Sequence, residues 1–476
     1  MKTTLLPHQQ EAINKILKLK TPALFMEMGT GKSRTLIEYA IHKFKQNKID
    51  KVIWFCPVTT KFNAQLELEK HIESPIYYTF DNKTKVGKIP KVDWYIVGIE
   101  SISSSIRVFE AVESIVENAL VVIDESDLIK CHTAIRSRRL WKLGEKANYK
   151  MIMTGTPISN GIEDLFSQFY FLSWRIIGYQ KWKMFEYHHL EYTDNLPRRV
   201  RNRINEDFIN AKIAPYVYQI NKSQCVNLPK KNYKVSTFNM TDEQSELYGL
   251  AKEEILLSDN AFTLNDMTIY RLFSALQRIA SEGHYYSKEQ RKLFNIFSNP
   301  HDNPRIQTLL YCIEEFKNEK IVIWSKFSKE IEDIKTVLIE KYGEHNIRVI
   351  NGLVKEKNRF KSIKDFNNGA RFLVINQAVG GRGINLTSSN HSIFYSTTFK
   401  VALRLQAEDR LHRIGQNKQV SYYDIIAESS IDEKIRRCQN DRIDTIEWFK
   451  KQIELIKKTH SEIEAMAKIK ELVETI

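Results

Sequence analysis

Short runs of apolar residues alternate with longer segments of helical periodicity in two separate regions of the chain. The apolar runs lie at 52–56, 94–97, 120–123 and 151–153 in the first region, and at 321–324, 347–350, 372–375 and 393–395 in the second. Continuous apolar runs between helical segments are typical of parallel strands that are covered on both faces. The pattern therefore predicts an α/β fold with two parallel-sheet lobes.

The pattern changes outside these two regions. Residues 161–303 are rich in aromatic and charged side chains, contain few strand-like runs and are predicted to be a mainly helical insertion between lobes at 1–160 and 304–430. Residues 431–476 carry apolar side chains at three- and four-residue steps, which predicts a helical C-terminal extension that braces the lobes. A partner-binding coiled coil is the alternative, but the apolar steps do not sustain three clean heptads.

A glycine-rich turn follows the apolar run 23–26 and precedes a predicted helix. Its residues, all candidates to bind ATP, are Gly29, Thr30, Gly31, Lys32 and Ser33. Glycines let backbone N–H groups point at phosphate oxygens, and a helix N-terminus adds a favourable dipole. Lys32 would reach the β- and γ-phosphates, and the Ser33 hydroxyl would bind Mg²⁺. The strict pattern needs glycine where Met26 stands, so a glycine-rich turn with a solvated lysine is the alternative when this turn is considered alone.

Two acids, Asp124 and Glu125, end the apolar run 120–123. Carboxylates at the carboxyl end of a buried strand lie where open α/β sheets bind ligands. Asp124 would hold Mg²⁺ and Glu125 would position and deprotonate the attacking water. Such a pair is often only a solvated helix start, but together with Lys32 it predicts a site for ATP hydrolysis.

The charge of the chain suits a polyanionic partner, because 72 Lys and Arg against 58 Asp and Glu give a net charge of +14. The five cysteines are scattered without zinc spacing, so they are expected to be reduced thiols in an intracellular protein, in the cytoplasm or nucleoid or in the cytoplasm of a host cell. The first residues contain no apolar stretch long enough for a signal peptide, and no run of eighteen apolar residues occurs, so neither a signal peptide nor a membrane span is expected.

Several segments of the first lobe match the motifs of a known family in their order along the chain. They are Leu5-Leu6-Pro7-His8-Gln9, Glu27-Met28 with the glycine-rich turn, Cys56-Pro57-Val58-Thr59, Asp124-Glu125-Ser126-Asp127 with Leu128-Ile129-Lys130, and Thr154-Gly155-Thr156-Pro157-Ile158-Ser159-Asn160. In this order they resemble the superfamily-2 helicases, and among these the Swi/Snf type of DNA translocase. The family form of the turn also lacks the outer glycine, which accounts for Met26. Asp127 departs from the family, which has histidine there.

The second lobe resembles the same family more closely. The matching runs are Gly380-Gly381-Arg382-Gly383-Ile384-Asn385-Leu386 and Gln406-Ala407-Glu408-Asp409-Arg410-Leu411-His412-Arg413-Ile414-Gly415-Gln416. RNA-directed helicases of the superfamily usually have arginine where Gln416 stands, so the resemblance favours DNA. It covers about residues 5–436 and is weak between 160 and 320.

The resemblance implies two tandem RecA-like lobes that use ATP and Mg²⁺. Gln9 matches the glutamine that contacts adenine. Arg410 and Arg413 match arginine fingers, which would neutralise charge developing on the γ-phosphate, although a pair of surface arginines is the alternative. The residues that match positions coupling the nucleotide state to lobe movement are Thr154, Thr156 and Gln406. A strand-ending turn is the alternative for the two threonines.

The resemblance also implies that DNA lies across both lobes and is held by its phosphates. The candidates to donate to phosphate oxygens are Thr59, Ser101, Ser325, Gly380 and Asn385. Each of them could equally be a local cap or turn residue. Arg198 and Arg199 belong to the densest basic cluster, residues 197–203, for which we consider a DNA-contacting protrusion or a solvated loop.

These residues lead to three hypotheses. The first is an ATP-driven translocase that moves along double-stranded DNA as a monomer without obligatory strand separation. The second is a helicase that unwinds or branch-migrates forked and branched DNA. The third is an ATP-gated DNA clamp or scaffold that hydrolyses little, which fits less well because Lys32, Asp124, Glu125, Arg410 and Arg413 are all present.

Overall fold

A computed structural model of the chain describes residues 1–81, 83–158, 161–193, 200–225, 228–258, 266–287, 292–352, 354, 356–380 and 384–476. The chain forms two compact units, an N-terminal unit at Met1–Asn227 and a C-terminal unit at Leu228–Ile476. None of the helices within these described ranges has both the length and the apolar character that crossing a bilayer requires.

The N-terminal unit alternates strands with helices. Its strands are β1 (Ala23–Met26), β2 (Lys51–Cys56), β3 (Tyr77–Thr79), β4 (Trp94–Gly98), β5 (Ala119–Asp124), β6 (Tyr149–Thr154), β7 (Leu190–Tyr192), β8 (Val200–Arg203) and β9 (Val217–Ile220). Its helices are α1 (Pro7–Ile16), α2 (Lys32–Lys45), α3 (Lys61–His71), α4 (Ser101–Ser104), α5 (Ile106–Glu113), α6 (Ile135–Lys146), α7 (Glu163–Ile177), α8 (Trp182–His189), α9 (Glu206–Ile213) and α10 (Lys222–Cys225).

Seven of these strands form one parallel sheet in the order β3-β4-β2-β5-β6-β1-β9. Apolar side chains on the two faces of the sheet contribute to two separate clusters, which explains why the central strands are apolar at most of their positions. Because all seven strands run in the same direction, the chain leaves each of them at the same edge of the sheet. Strands β1, β5 and β6 therefore deliver the loops that follow them to one place.

The C-terminal unit repeats this alternation. Its strands are β10 (Lys231–Phe238), β11 (His284–Ser287), β12 (Lys292–Asn295), β13 (Ile321–Ser325), β14 (Ile347–Ile350), β15 (Phe372–Asn376), β16 (His391–Phe394) and β17 (Val420–Ala427). Its helices are α11 (Asp242–Ser258), α12 (Asp266–Glu282), α13 (Pro304–Glu314), α14 (Ser328–Tyr342), α15 (Glu356–Asn368), α16 (Gln377–Gly380), α17 (Val401–Glu408), α18 (Ile431–Asn440), α19 (Thr445–Thr459) and α20 (Glu462–Glu474).

Six of these strands form a second parallel sheet in the order β10-β17-β16-β13-β15-β14. The first strand of the unit, β10, lies at one edge and pairs along its whole length with β17, the last strand. The fold class predicted from the hydrophobic pattern and the family resemblance, two parallel-sheet lobes, is confirmed.

The segment predicted as a helical insertion, residues 161–303, contributes to both units. It supplies α7 to α10 and β7 to β9 to the N-terminal unit, and α11, α12 and β10 to β12 to the C-terminal unit. The hydrophobic pattern did not predict that β9 and β10 each add an edge strand to a large sheet. That residues 161–303 form a region of their own, inserted between the lobes, stays a prediction.

The last helices pack into the core of the C-terminal unit. Phe449 and Ile453 of α19 and Ile469 and Val473 of α20 are buried in the same apolar cluster as the strands of the sheet. The Tyr248 hydroxyl of α11 donates to the final backbone carbonyl, at 2.9 Å. These contacts place α19 and α20 in the core of the C-terminal unit, and their bracing of the two lobes stays a prediction.

Replacing Ile469 with alanine is expected to lower the free energy of unfolding by about 2–5 kcal/mol, because a fully buried aliphatic side chain leaves a cavity. The matched control is Ile463→Ala on the same helix, whose side chain is 84% exposed and should change stability by less than about 0.5 kcal/mol. Denaturant unfolding of both variants makes the comparison. Equal stability of the two variants would contradict the bracing role.

Candidate nucleotide site and arginine segment

The glycine-rich turn forms the connection between β1 and α2, and we call residues 27–33 the phosphate loop. Gly29 and Gly31 have φ values of 81° and 91°, in the left-handed region that favours glycine. Lys32 begins the 14-residue helix α2, and its Nζ donates to the backbone carbonyl of Met26, at 2.8 Å. The first turn of α2 contains no acidic residue, so the positive end of the helix dipole is available to an anion.

Helix α1 holds the phosphate loop from one side. His8 Nε2 and Gln9 Nε2 both contact the backbone carbonyl of Thr30, at 2.7 and 3.2 Å. A Cβ atom on Gly31 would lie 2.1 Å from Gln9 Nε2, so any other residue there would displace the glutamine. The structure thus places Gln9 beside the loop, and its contact with adenine stays a prediction.

Asp124 ends β5 and Glu125 follows it. Burial, and then the charge of Glu125, raise the pKa of the Asp124 carboxyl to about 7, while Lys32 acts in the opposite direction. Glu125 has a φ of 53°, a left-handed conformation that costs a non-glycine residue some strain. Such strain is common where a side chain must point at a reacting group. The structure therefore brings the predicted lysine and the two predicted acids to the same edge of one sheet.

Strand β6 lies between β1 and β5 in the sheet, and it ends at Thr154. The Thr154 hydroxyl contacts Asp127 Oδ1 at 3.4 Å and accepts from the backbone N–H of Thr156 at 3.1 Å. A Cβ atom on Gly155 would lie 3.2 Å from the backbone nitrogen of Met28. The segment 154–156 therefore touches both the phosphate loop and the loop after Glu125, and Asp127 is part of that contact.

Thr59 and Ser101, predicted DNA contacts, follow the adjacent strands β2 and β4 and are both partly buried. The backbone N–H of Val58 donates to Glu100 at 2.9 Å, which ties their two loops together. Arg198 and Arg199 lie outside the described residues, as do Ser159, Asn160 and residues 381–383.

The other predicted DNA contacts lie in the C-terminal unit. Ser325 is fully buried at the end of β13, and its hydroxyl donates to Glu330 at 2.5 Å. Gly380 ends α16 in a tight position, where a Cβ atom would lie 2.2 Å from Ile375. Asn385 is exposed and accepts from the backbone N–H of Thr387 at 3.3 Å. Ser325 and Asn385 thus make local bonds here, and their contacts with DNA stay predictions.

We call residues 404–416 the arginine segment. It comprises the second half of α17, with the partly buried Gln406, and the turns that carry Arg410 and Arg413. The backbone carbonyl of Arg410 accepts from the N–H of Leu386 at 3.0 Å, and Arg413 Nη1 donates to the carbonyl of Ile384 at 3.3 Å. These bonds hold the arginine segment to Ile384 and Leu386, which end the other run of this lobe that matches the family.

Sequence reasoning missed the buried charges that support the arginine segment. Arg404 Nε donates to Glu408 at 2.9 Å, and its Nη1 forms a short ion pair with Asp424 of β17. Lys231 and Tyr233 of β10 also contact Glu408, at 3.0 and 2.7 Å. No pattern in the sequence indicated these contacts, because Lys231 and Tyr233 lie about 175 residues before Glu408 along the chain.

A comparison with protein families adds to this geometry. A family model described as the SNF2-related domain matches residues 8–284, more than half of the chain. The chain belongs to the SNF2-related family. A second model, described as the helicase conserved C-terminal domain, matches residues 304–415 and includes Arg410 and Arg413. The SNF2-related match begins in α1 and continues past Leu228 into the C-terminal unit.

Relatives of this SNF2-related protein include larger proteins. An uncharacterized ATP-dependent helicase of Mycoplasma genitalium is 27% identical over 87% of the chain and 39% of its own length. The ATP-dependent DNA helicase DDM1 of Arabidopsis thaliana is 26% identical over 66% of the chain and 43% of its own length. The chain spans less than half the length of these relatives.

Among solved structures, the Sulfolobus solfataricus SWI2/SNF2 ATPase core in complex with dsDNA is similar to this SNF2-related chain. It is 23% identical, with a TM-score of 0.44, and the match covers 98% of this chain and 97% of that one.

Proposed function

We propose that the chain is an ATP hydrolase that couples hydrolysis to movement along double-stranded DNA. The observation that carries the proposal is the arrangement at one edge of the N-terminal sheet. There, Lys32 at the start of a long helix shares the edge with the buried carboxyl of Asp124 and with Glu125. The names of the relatives as ATP-dependent helicases support ATP as the substrate.

The residues present fit a magnesium ion that enters together with ATP. Ser33 in the first turn of α2 and the buried carboxyl of Asp124 are oxygen ligands of the kind Mg²⁺ prefers. In the described residues no cluster of three or more His, Cys, Asp or Glu side chains could hold a metal alone. Bound Mg²⁺ neutralises phosphate charge. Ser33 and Asp124 would hold it there.

Each predicted site residue of the N-terminal unit that contacts the nucleotide then has a defined role. Backbone N–H groups of the phosphate loop and the ammonium of Lys32 bind the phosphates, and Gln9 binds the adenine. Glu125 orients a water molecule for in-line attack on the γ-phosphorus and accepts its proton, while the bond from the γ-phosphorus to the bridging oxygen breaks and ADP leaves. Thr154 and Thr156 respond to the nucleotide because their segment touches the phosphate loop at Met28.

The C-terminal unit contributes the cationic side chains. Arg410 and Arg413 offset the negative charge that develops on the γ-phosphate. Gln406 on the preceding helix couples the nucleotide state to lobe movement. Hydrolysis therefore requires residues from both units. We propose that DNA and ATP both favour the state of the chain that is competent for hydrolysis. Binding of either one then increases the affinity of the chain for the other.

The DNA proposal has two supports. The relative from Arabidopsis thaliana is named a DNA helicase, and the chain itself carries a net charge of +14, which suits a phosphate backbone. Contacts to phosphates through hydroxyls, amides and backbone N–H groups do not depend on base sequence. A motor needs that independence in order to pass over any sequence.

Duplex DNA is expected to stimulate ATP hydrolysis, and binding should weaken with salt at a slope of about −0.9 per neutralised phosphate in log K against log[salt]. The test measures phosphate release with duplex, single-stranded and forked DNA and with RNA. Equal stimulation by RNA and duplex DNA would contradict a duplex DNA translocase. Triplex displacement without separation of a forked duplex would favour translocation over unwinding.

A further inference from the structure

The chain crosses from the N-terminal to the C-terminal unit between Asn227 and Leu228. On the N-terminal side of the crossing, β9 lies beside β1 and leads to α10. The backbone N–H of Glu27 donates to the carbonyl of Ile220 at 3.1 Å, and the N–H of Lys222 donates to Glu27 Oε2 at 2.7 Å. Glu27 thus fastens the end of this unit to the phosphate loop.

On the C-terminal side of the crossing, the first residues contact the arginine segment. The carbonyl of Pro229 accepts from His412 Nε2 at 2.8 Å. Lys231 Nζ and the Tyr233 hydroxyl both donate to Glu408 Oε2, at 3.0 and 2.7 Å. The start of the C-terminal unit is therefore bonded to the residue that lies two positions before Arg410.

Glu408 is only 3% exposed and is bonded on both of its oxygens. Its second oxygen accepts from Arg404, which also pairs with Asp424 of β17. Burial opposes the charged form, but Arg404 and then Lys231 keep the pKa of Glu408 below its ordinary value. A buried carboxylate held in this way fixes its neighbours, because a lost partner leaves a buried charge poorly compensated.

We propose that Glu408 is a positioning residue for Arg410 and Arg413, and that Glu27 has the matching role for the phosphate loop. The two glutamates fasten the chain that joins the units, at its two ends, to the two segments assigned to hydrolysis. The inference rests on the proposed function, since the roles of both arginines belong to it. The two carboxylates thereby link the described ends of the joining chain to both segments, beside the bonds of His412 with Pro229 and of the Glu27 backbone N–H with Ile220.

The test compares Glu408→Gln with Glu27→Gln in DNA-stimulated ATP hydrolysis. Glu408→Gln is expected to lower kcat by up to about 100-fold, because a displacement of about 1 Å can cost that much. The KM for ATP should change little, since the nucleotide loop lies in the other unit. Glu27→Gln is expected to raise the KM for ATP more than it lowers kcat.

Lys234→Met is the matched control, because Lys234 lies on the same strand and forms an exposed ion pair with Glu315, the residue after α13, at 3.4 Å. Tyr233→Phe removes one hydroxyl from Glu408 and should lower kcat in the same direction as Glu408→Gln. It also serves if Glu408→Gln fails to fold. The proposal is overturned if neither variant lowers kcat more than Lys234→Met, or if KM and kcat change together.

Amide hydrogen exchange provides a readout that does not depend on activity. Glu408→Gln, or Tyr233→Phe in its place, should speed exchange in peptides that cover residues 405–413 and leave peptides of β13 unchanged. If the wild-type chain does not hydrolyse ATP, the proposed function fails, and this measurement still decides whether Glu408 positions the segment. Unchanged exchange at 405–413 would overturn the positioning role.

Discussion

Glu125→Gln is expected to lower ATP turnover by about 10²–10⁴-fold and to leave ATP bound. Glutamine has nearly the same size as glutamate and can adopt the same backbone conformation, but its amide cannot accept the proton of the attacking water. The phosphate loop and Lys32 are unchanged, so the affinity for ATP should remain. Steady-state phosphate release and equilibrium binding of ATP measure the two effects separately.

Two controls sharpen this prediction. Lys32→Ala should lose both binding and turnover, because it removes the ammonium that contacts the phosphates. Glu117 is an exposed residue just before β5, the strand that leads to Glu125, and Glu117→Gln should therefore behave like the wild type. Normal turnover of Glu125→Gln would show that another group activates the water.

Arg413→Ala is expected to lower DNA-stimulated turnover by about 10³–10⁵-fold, the range known for arginine fingers. The phosphate loop and the residues proposed to contact DNA are unchanged, and the substitution removes the 3.3 Å bond from the Arg413 side chain to the Ile384 carbonyl. ATP and DNA should therefore bind nearly as tightly as they bind to the wild type. Turnover and both affinities are measured on the same preparation.

The matched control for Arg413→Ala is Lys418→Ala, which removes a 70% exposed cation a few residues later. DNA affinity with and without a non-hydrolysable ATP analogue adds a test of coupling, since two ligands that favour one state increase each other's affinity equally. Survival of turnover in Arg413→Ala would remove this residue from the catalytic set, and the proposed dependence on both units would have to be revised.

The hydrophobic pattern predicted the central strands well because they are buried on both faces. Strand β5, for example, is apolar from Ala119 to Ile123. Two edge strands, β9 and β10, were missed for the converse reason, whereas the edge strand β14 was predicted from its apolar run. Strand β10 is partly exposed and mixes lysine, asparagine and serine with apolar residues, and β9 has four residues that include the exposed Gln219. An edge strand needs few apolar positions, so its neighbours, and not its own sequence, decide its conformation.

The candidate site also has features that could be predicted from the sequence and features that could not. Lys32, Asp124 and Glu125 could be predicted because strand ends in a parallel sheet meet at one edge. The contact of Thr154 with Asp127 and the bonds of Glu408 with Lys231 and Tyr233 could not be predicted. These partners come from distant parts of the chain, and only the folded sheets bring them together.

The pairing of β1 with β9 has a consequence for synthesis on the ribosome. Ala23 pairs with Val217, and the phosphate loop is bonded through Glu27 to Ile220 and Lys222, nearly at the end of the N-terminal unit. Contacts between such distant residues form late, because a long loop must close first. A nascent chain that stops short of residue 220 therefore lacks the complete strand beside its phosphate loop, and we expect ATP binding during translation to begin after that strand has emerged.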